Sequence, residues 1–188
     1  MLPRKYKCLS NKLFQFNNYQ LVPIRDEDKY LILKWRNEQL YHLRQMSPLS
    51  IEDQESYFKT TVFLLFEQEK PNQILFSYLE NGICIGYGGL VHINWIDKNA
   101  EISFIMDTAL EKDFFQHHWT HYLTLLEKVA FGDLNFHKIF TYAFDLRPHL
   151  YQAVLSNGFL EEARLKEHCL FNGQFIDVLI HSKIDNNV

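Results

Sequence analysis

Apolar and polar residues recur along the chain in patterns that predict its first elements. Residues 19–25 (YQLVPIR) alternate as a short, half-buried strand does. Behind Asp26, a candidate N-cap, residues 27–43 carry a broad apolar face with acidic residues in the first turn, which predicts a helix. The run S-I-E-D from Ser50 has capping-box spacing and predicts the start of a second helix.

The middle of the chain changes to strand-like patterns. Residues 73–80 and 83–95 are separated only by Asn81-Gly82, a dipeptide typical of a type I′ hairpin turn. With the run NAEISFIM that follows, residues 74–106 predict an antiparallel meander of three strands. Three glycines in the middle strand indicate a bend or a bulge.

The second half of the chain predicts alternating helices and strands. From about His117 apolar residues recur at three- and four-residue steps, which predicts a helix ending near Gly132. Residues 138–144 (KIFTYAF) predict a strand, and Pro148 opens a short helix closed by Gly158. A second Asn-Gly dipeptide marks a final hairpin. The predicted order is strand, two helices, meander, helix, strand, helix and hairpin.

Length and composition narrow the class of protein. The chain has 188 residues, of which 47% are hydrophobic, so one domain with one buried core is expected. A net charge of −4 without a basic run argues against nucleic acid as a partner. Three widely spaced cysteines predict reduced thiols, and no run resembles a signal peptide or a membrane span. We therefore expect a soluble cytoplasmic protein with no membrane partner.

Five short motifs carry a resemblance to a known family. They are W-R-N-E at 35–38, I-G-Y-G-G-L at 85–90, A-E-I-S-F at 100–104, L-N-F-H-K-I at 134–139 and N-G-F at 157–159. With the predicted order of elements they resemble the GCN5-related N-acetyltransferase (GNAT) superfamily. The resemblance is to the branch with the ribosomal-protein N-terminal (RimJ/RimL-like) and nucleotide-amino-sugar acetyltransferases, and it covers about residues 19–183.

The resemblance implies an α/β (α+β) fold, a single GNAT domain over residues 1–188 with its core at about 19–183. Its sheet would be mixed, mostly antiparallel and twisted, with about seven strands flanked by about four helices. The third meander strand and the following parallel strand would splay apart and admit the pantetheine arm of acetyl-CoA, the expected cosubstrate. The strand edge that pairs with this arm maps to Ile105, Met106 and Asp107.

The chain departs from the family at the loop that binds the cofactor's diphosphate. That loop usually contains glycine and opens the next helix, but the corresponding span here, Lys112–His121, contains none. Main-chain amides at the helix start remain for the diphosphate, and side-chain donors supplement them. The candidate cofactor-binding residues of this span are Lys112, Phe114, Phe115, Gln116, His117 and His118.

A general base near the thioester would deprotonate the acceptor ammonium. The resemblance makes Glu101 the first candidate, with a surface or cross-strand pair as the alternative. His92, on the neighbouring strand, is the second candidate, with a partly exposed structural histidine as the alternative. The family's tyrosine that protonates the CoA thiolate aligns with Val154. Tyr151, one turn earlier, is its candidate substitute, and a core aromatic is the alternative.

Residues of the first helix and a further arginine are the candidates for acceptor binding. The first two helices border the acceptor pocket in the family, which makes Trp35, Arg36 and Asn37 candidate substrate-binding residues. Arg36 would meet a phosphate or carboxylate, or else make a salt bridge on the helix surface. Arg147 stands where the family often has asparagine, and with Arg36 and Arg44 it offers positive charge to an anionic acceptor.

The predicted function is acetyl-CoA-dependent N-acetylation by direct attack of a small-molecule primary amine. The expected acceptor is an amino sugar, nucleotide-linked or a polysaccharide precursor, and a protein N-terminus is the alternative. A non-catalytic GNAT-fold binding module is an alternative of a different class, suggested by the glycine-free loop and the absent tyrosine. The expected partners are the amine and acetyl-CoA, and a homodimer is left open.

A partial set of metal ligands falls in the glycine-free span. His117 and His121 are four residues apart, and Asp113 lies one turn earlier. Further acidic or cysteine ligands at suitable spacing are missing from the sequence nearby, so we predict no metal site.

Overall fold

The computed structural model describes residues 5–43, 45 and 47–185, which form one eight-stranded sheet and several helices. The strands are β1 (Phe14–Phe16), β2 (Tyr19–Pro23), β3 (Ile74–Glu80), β4 (Ile83–Asn94), β5 (Asn99–Met106), β6 (Lys138–Phe144), β7 (Leu160–Phe171) and β8 (Gln174–Ile184). The α-helices are α1 (Lys29–Glu38), α2 (Leu40–Leu43), α3 (Ile51–Tyr57), α4 (Phe63–Leu65), α5 (Thr108–Glu127) and α6 (Pro148–Ser156). No helix within the described ranges is long and apolar enough to cross a membrane.

The sheet has the order β1-β2-β3-β4-β5-β6-β8-β7, and only β5 and β6 are parallel neighbours within it. The predicted mixed, mostly antiparallel α+β architecture is confirmed. The sequence predicted about seven strands, and the additional one is β1. It joins β2 through a tight turn at Asn17, whose φ is 53°. Asparagine tolerates this left-handed conformation, so the turn forms without glycine.

Predicted caps and turns are also confirmed. The Ser50 hydroxyl accepts a hydrogen bond from the Asp53 amide, and the Asp53 carboxylate accepts one from the Ser50 amide, which completes the capping box of α3. Asn81 and Gly82 adopt φ values of 50° and 82° in the hairpin between β3 and β4. Gly158 follows α6 with a φ of 81°, as a helix-terminating glycine does.

Helix α5 begins at Thr108, whereas the sequence analysis predicted a start near His117. The Asp107 carboxylate accepts a hydrogen bond from the Ala109 amide at 3.0 Å and caps the helix. Residues 108–117 contain neither glycine nor proline, so nothing delays the helix once it is capped. The span predicted to be a diphosphate-binding loop is therefore helical.

Helix α5 packs against the sheet through stacked aromatic rings. Phe104 on β5 stacks on Tyr122, with ring centroids 3.8 Å apart. Gly88 on β4 permits this approach, because a Cβ there would lie 2.0 Å from the Ser103 carbonyl oxygen and 2.6 Å from the Tyr122 hydroxyl. Burial of each ring contributes about 2 kcal/mol to the free energy of unfolding.

Candidate active site

Strands β5 and β6 pair briefly and then separate. Their parallel register runs from Asn99↔Lys138 to Glu101↔Phe140, where the pairing of these two fully described strands ends. Beyond Glu101 the strands enclose a cavity of about 190 Å³, and the predicted splay is thus present. The lining residues are His42, Leu43, Glu101, Ile102, Ser103, Phe104, Ile105, Trp119, Thr141, Tyr142, Ala143, Phe144, Arg147 and Leu150.

Alternation along β5 decides which main-chain groups face the gap. The carbonyl oxygens of Ser103 and Ile105 lie against β4, and the Asp107 amide donates to the Ile85 carbonyl on that strand at 2.8 Å. In an antiparallel pair, the intervening residues direct their main-chain groups to the other side. The edge that faces β6 consists of Ile102, Phe104 and Met106.

The predicted cofactor-pairing edge of Ile105, Met106 and Asp107 is therefore wrong at two positions. Ile105 and Asp107 direct main-chain groups to β4, although other atoms of Ile105 line the cavity. Met106 faces the gap, but its carbonyl already accepts a hydrogen bond from Gln39 Nε2 at 2.8 Å. Three consecutive residues cannot serve one strand edge, because the pattern repeats every two residues.

Glu101 lies at the closed end of the cavity, where the strands begin to part. Its Oε2 atom is 2.7 Å from His92 Nδ1, so the two candidate bases form one hydrogen-bonded pair. The Glu101 side chain is 19% exposed, whereas the His92 side chain is 78% exposed. This arrangement suits passage of a proton from the cavity to solvent. It is also the cross-strand pair that was the alternative interpretation of Glu101.

A β-bulge turns His92 towards Glu101. The register between β4 and β5 shifts between Val91 and Asn94, and His92 has a φ of 48°. Strict alternation would place His92 on the face opposite Val91, but Glu101 pairs with Val91. The left-handed conformation of a non-glycine residue costs about 1 kcal/mol, which the surrounding sheet must offset.

Two of the three candidate acceptor-binding residues on α1 have structural roles instead. Trp35 is 1% exposed and shares the buried stripe of α1 with Ile32, so its assignment to the acceptor pocket is wrong. The Asn37 side chain donates to the Leu49 carbonyl at 2.9 Å and accepts from the Leu49 amide at 2.8 Å. Asn37 thus fixes the segment that leads into α3, and its assignment to the acceptor pocket stays a prediction.

Arg36 reaches over the same face of the sheet as Glu101. Its Nη1 donates to the Tyr87 hydroxyl at 2.9 Å, and its Nη2 donates to Gln45 Oε1 at 3.1 Å. Tyr87 pairs with Ile105, which shares a face of β5 with Glu101. No carboxylate in the described part of the chain makes an ion pair with Arg36, and its Nε is buried without a partner. The alternative of a salt bridge on the helix surface is wrong.

Arg147 immediately precedes α6 and lies at the open end of the cavity, far along the strands from Glu101. Its Nη1 is 3.3 Å from His42 Nε2 and 3.4 Å from Glu111 Oε1, and its guanidinium lies 5.8 Å from the Phe115 ring centroid. Burial lowers the pKa of Arg147. Its predicted part in acceptor binding stays a prediction. The third candidate arginine, Arg44, lies outside the described residues.

His42 is a buried neutral side chain that the sequence analysis missed. Its Nε2 is 3.1 Å from Gln39 Oε1, and burial together with the charge of Arg147 lowers its pKa to about 3. Gln39 also donates to Thr108 at 3.2 Å, which ties the start of α2 to the start of α5. The sequence does not reveal these residues, because β5 and α5, the elements that bury them, lie far from them along the chain.

A second, more open depression of about 530 Å³ lies outside the cavity mouth. Its lining residues are Tyr41, Thr108, Glu111, Lys112, Phe115 and His149. Two predicted cofactor-binding residues, Lys112 and Phe115, thus lie together near the start of α5. Burial and the charge of Arg147 lower the pKa of His149, so its imidazole adds no positive charge at neutral pH. Glu111 and His149 were not predicted from the sequence.

The remaining predicted cofactor-binding residues line neither of these two depressions, and their assignment stays a prediction. They are Phe114, Gln116, His117 and His118. His117 Nε2 is 2.8 Å from the Tyr19 hydroxyl, and His118 is buried beside the Tyr78 ring. Gln116 donates to the Ser156 hydroxyl on α6 at 3.5 Å, and the Phe114 ring centroid lies 6.3 Å from that of His118.

The pair His117 and His121 faces β2. Their ring centroids are 4.4 Å apart, and the Tyr19 ring lies against both. Within the described ranges, no group of three or more His, Cys, Asp and Glu side chains is placed to hold a metal ion.

Tyr151, the predicted proton donor to the thiolate, lines neither depression. Its hydroxyl donates to Asp145 Oδ1 at 2.8 Å, and its ring stacks on His181. Burial and this hydrogen bond raise the pKa of Tyr151. The structure therefore ties the hydroxyl to Asp145, and a role of Tyr151 in protonating the thiolate stays a prediction.

The chain resembles known acetyltransferases in sequence and in fold. Residues 21–180 match the family model of the Acetyltransferase (GNAT) domain. A spermidine N-acetyltransferase from Vibrio cholerae, in complex with CoA and spermine, has a similar fold with a TM-score of 0.75. The two are 21% identical over 90% of this chain and 96% of that one. A dodecameric structure of spermidine N-acetyltransferase from the same organism gives a TM-score of 0.70 at 22% identity, over 92% and 96% of the two chains.

The sequence match and the structural likeness carry different weight. At 21–22% identity the solved structures show a shared fold. The family model covers most of the chain, including Glu101 and the gap between β5 and β6. The chain belongs to the GNAT acetyltransferase family and is an N-acetyltransferase that uses acetyl-CoA as its acetyl donor.

Proposed function

We propose that this protein transfers an acetyl group from acetyl-CoA to a small primary amine, by direct attack of the amine in the gap between β5 and β6. The observation that carries the proposal is the end of β5–β6 pairing at Glu101. At this point an ionisable side chain meets an unpaired strand edge. Acetyl-CoA supplies the activated acetyl group, and residues of this chain bind, orient and deprotonate.

The β5 edge fits an extended arm with amide groups. The Ile102 carbonyl and the main-chain groups of Phe104 face the gap beyond the last β5–β6 pair, and they can pair with such an arm as another strand would. An amide of this edge can also stabilise negative charge on the thioester oxygen. Glu101 would accept the ammonium proton, and His92, at 2.7 Å, would pass it to solvent.

The acceptor proposed here is an amine that also carries an anionic group, such as a nucleotide-linked amino sugar. The support for this acceptor is Arg36. Its guanidinium makes no ion pair with a carboxylate of the described residues, and it lies over the same face of the sheet as Glu101. The solved structures of similar fold are named for spermidine and spermine, which are polycations. A polyamine is therefore the competing acceptor, and a protein N-terminus is the third. Positive charge beside the reacting amine favours an anionic acceptor over a polycation.

Release of free thiol from acetyl-CoA tests both the acetyl transfer and the proposed class of acceptor. The amines are glucosamine, glucosamine 6-phosphate, a UDP-linked amino sugar, spermidine and a short peptide with a free N-terminus. We expect the phosphorylated amines to give the highest kcat/KM and Arg36→Gln to remove that preference. Lys34→Gln, an exposed change on the same helix, is the matched control. Preference for spermidine that Arg36→Gln leaves unchanged would contradict the acceptor but keep the acetyltransferase.

The start of α5 is less suited to a diphosphate than the loop that the family usually has there. The α5 N-terminus carries the Asp107 cap and Glu111 in its first turn, where the family loop offers amides to a diphosphate. A homodimer also belongs to the proposal, and sedimentation velocity tests it.

A further inference from the structure

We propose that Arg147 is the side chain that binds the cofactor's diphosphate in this protein, and that Glu111 competes with the diphosphate for it. The inference rests on the proposed function, because it assumes that acetyl-CoA enters the gap between β5 and β6. It assigns a side chain to diphosphate binding in a chain that lacks the family's glycine-containing loop.

The position of Arg147 is the first support. Arg147 lines the inner cavity, while its contacts Glu111 and Phe115 line the outer depression. It therefore lies between the two spaces, at the mouth through which an extended arm must leave the gap. A diphosphate attached to that arm would lie beside the Arg147 guanidinium.

The chemistry of the mouth is the second support. The Asp107 carboxylate already occupies the Ala109 amide at the start of α5, so the helix offers fewer free amides to an anion. His149 is neutral at neutral pH because burial and Arg147 lower its pKa. Lys112 is exposed and contributes a single point charge. A planar guanidinium that can donate two parallel hydrogen bonds matches a phosphate better.

The weakness of the present ion pair is the third support. Arg147 makes one contact of 3.4 Å with Glu111, and its other near partner is the uncharged His42 at 3.3 Å. Arg25, by contrast, holds Asp28 with two hydrogen bonds of 2.7 and 2.8 Å. Arg25 is committed to a structural pair, whereas Arg147 has donors that are not used in short hydrogen bonds. A diphosphate can take those donors at the cost of one long contact.

The experiment measures the dissociation constants of CoA and of pantetheine, which lacks the diphosphate, by calorimetry. The variants are Arg147→Gln, Arg147→Lys and Glu111→Gln in the full chain. The matched controls are Lys183→Gln and Glu127→Gln, because that ion pair of 2.7 Å involves the opposite end of α5. Thermal unfolding of every variant checks that it is folded.

The two partners of the ion pair are expected to change affinity in opposite directions. Arg147→Gln should weaken CoA binding about tenfold or more and leave pantetheine binding unchanged. Arg147→Lys should recover part of the loss, because lysine keeps the positive charge but cannot donate two parallel hydrogen bonds from a planar group. Glu111→Gln should tighten CoA binding about threefold, since it removes a competing carboxylate. The controls should leave both dissociation constants unchanged.

Other results overturn the inference in distinguishable ways. If Arg147→Gln and Glu111→Gln both weaken CoA binding, the ion pair only holds α5 and α6 in position. If Arg147→Gln weakens CoA and pantetheine equally, the guanidinium does not act on the diphosphate. In both cases the proposed function stands. If the unmodified protein binds neither CoA nor pantetheine, both the inference and the proposed function fail.

Discussion

His92 Nδ1 and Glu101 Oε2 lie 2.7 Å apart across two neighbouring strands, although strict alternation would place these side chains on opposite faces of the sheet. The bulge at His92 brings them together, and it requires a left-handed backbone at a residue that is not glycine. The result is a carboxylate at the closed end of the cavity that is connected to solvent through an imidazole.

Replacement of Glu101 by Gln should lower kcat at neutral pH about 100-fold, because the amide cannot accept the ammonium proton. The dissociation constant of CoA should stay the same. Steady-state thiol release and calorimetry measure the two quantities. Glu69→Gln, at an exposed ion pair with Lys7, serves as the control. A Glu101→Gln protein that works at the normal rate would remove Glu101 from the mechanism.

Variants at His92 should separate the effect of its backbone conformation on stability from the effect of its imidazole on activity. His92→Gly suits a φ of 48°, whereas His92→Ala keeps the unfavourable conformation, so the glycine variant should be more stable by about 1 kcal/mol. Both variants lose the imidazole and should lose activity to a similar extent. Urea unfolding and thiol release provide the comparison. Full activity in either variant would show that the imidazole is structural.

Stability should fall with acid because His42 is buried in its neutral form. Its pKa is about 3 in the folded protein and about 6.5 in the unfolded chain. Between these values the unfolded state binds more protons, so the free energy of unfolding decreases as the pH falls below 6.5.

His42→Gln should remove this part of the acid sensitivity. The wild-type protein should lose about 2 kcal/mol more than the variant between pH 7 and pH 5, at about 1.4 kcal/mol per pH unit. Burial also lowers the pKa of His118, His149 and His181, so the variant should keep a shallower slope of the same sign. Urea unfolding at both pH values measures the difference, and parallel losses would contradict the assignment.

Gly88→Ala should be strongly destabilising, by about 3 kcal/mol or more, because its Cβ would overlap the Ser103 carbonyl and the Tyr122 hydroxyl. Gly82→Ala is the matched control. Gly82 has a φ of 82°, and a Cβ added there would have no neighbour within 4 Å, so its cost should be about 1 kcal/mol, from the backbone alone. Thermal or urea unfolding gives both values, and equal losses would refute the packing argument.

Local patterns were sufficient for most of the fold. The Asn-Gly dipeptides, the Ser50 capping box and the period of two along β3 to β5 each depend on neighbouring residues, and the structure has them where expected. The start of α5 was misplaced because the apolar period becomes regular only near Trp119, whereas the Asp107 cap starts the helix earlier.

The candidate site was less predictable because its contacts are distant along the chain. The resemblance singled out Glu101 and Lys112, each of which lines a depression, but the partners of Arg147 come from α2 and α5. His42 has no sequence signature, since a polar residue on a short helix is buried only when other elements cover it. The direction of His92 depends on a bulge, which the strand pattern does not reveal.

The gap between β5 and β6 has a consequence for solubility. Exposed strand edges promote aggregation, since they can pair with a strand of another molecule. The unpaired edge of β5 is internal and lies in a cavity that His42, Leu43 and Leu150 also line. These side chains cover the edge that a strand of another molecule would have to reach. The protein can therefore retain unsatisfied main-chain groups in mid-sheet without offering them to its own copies.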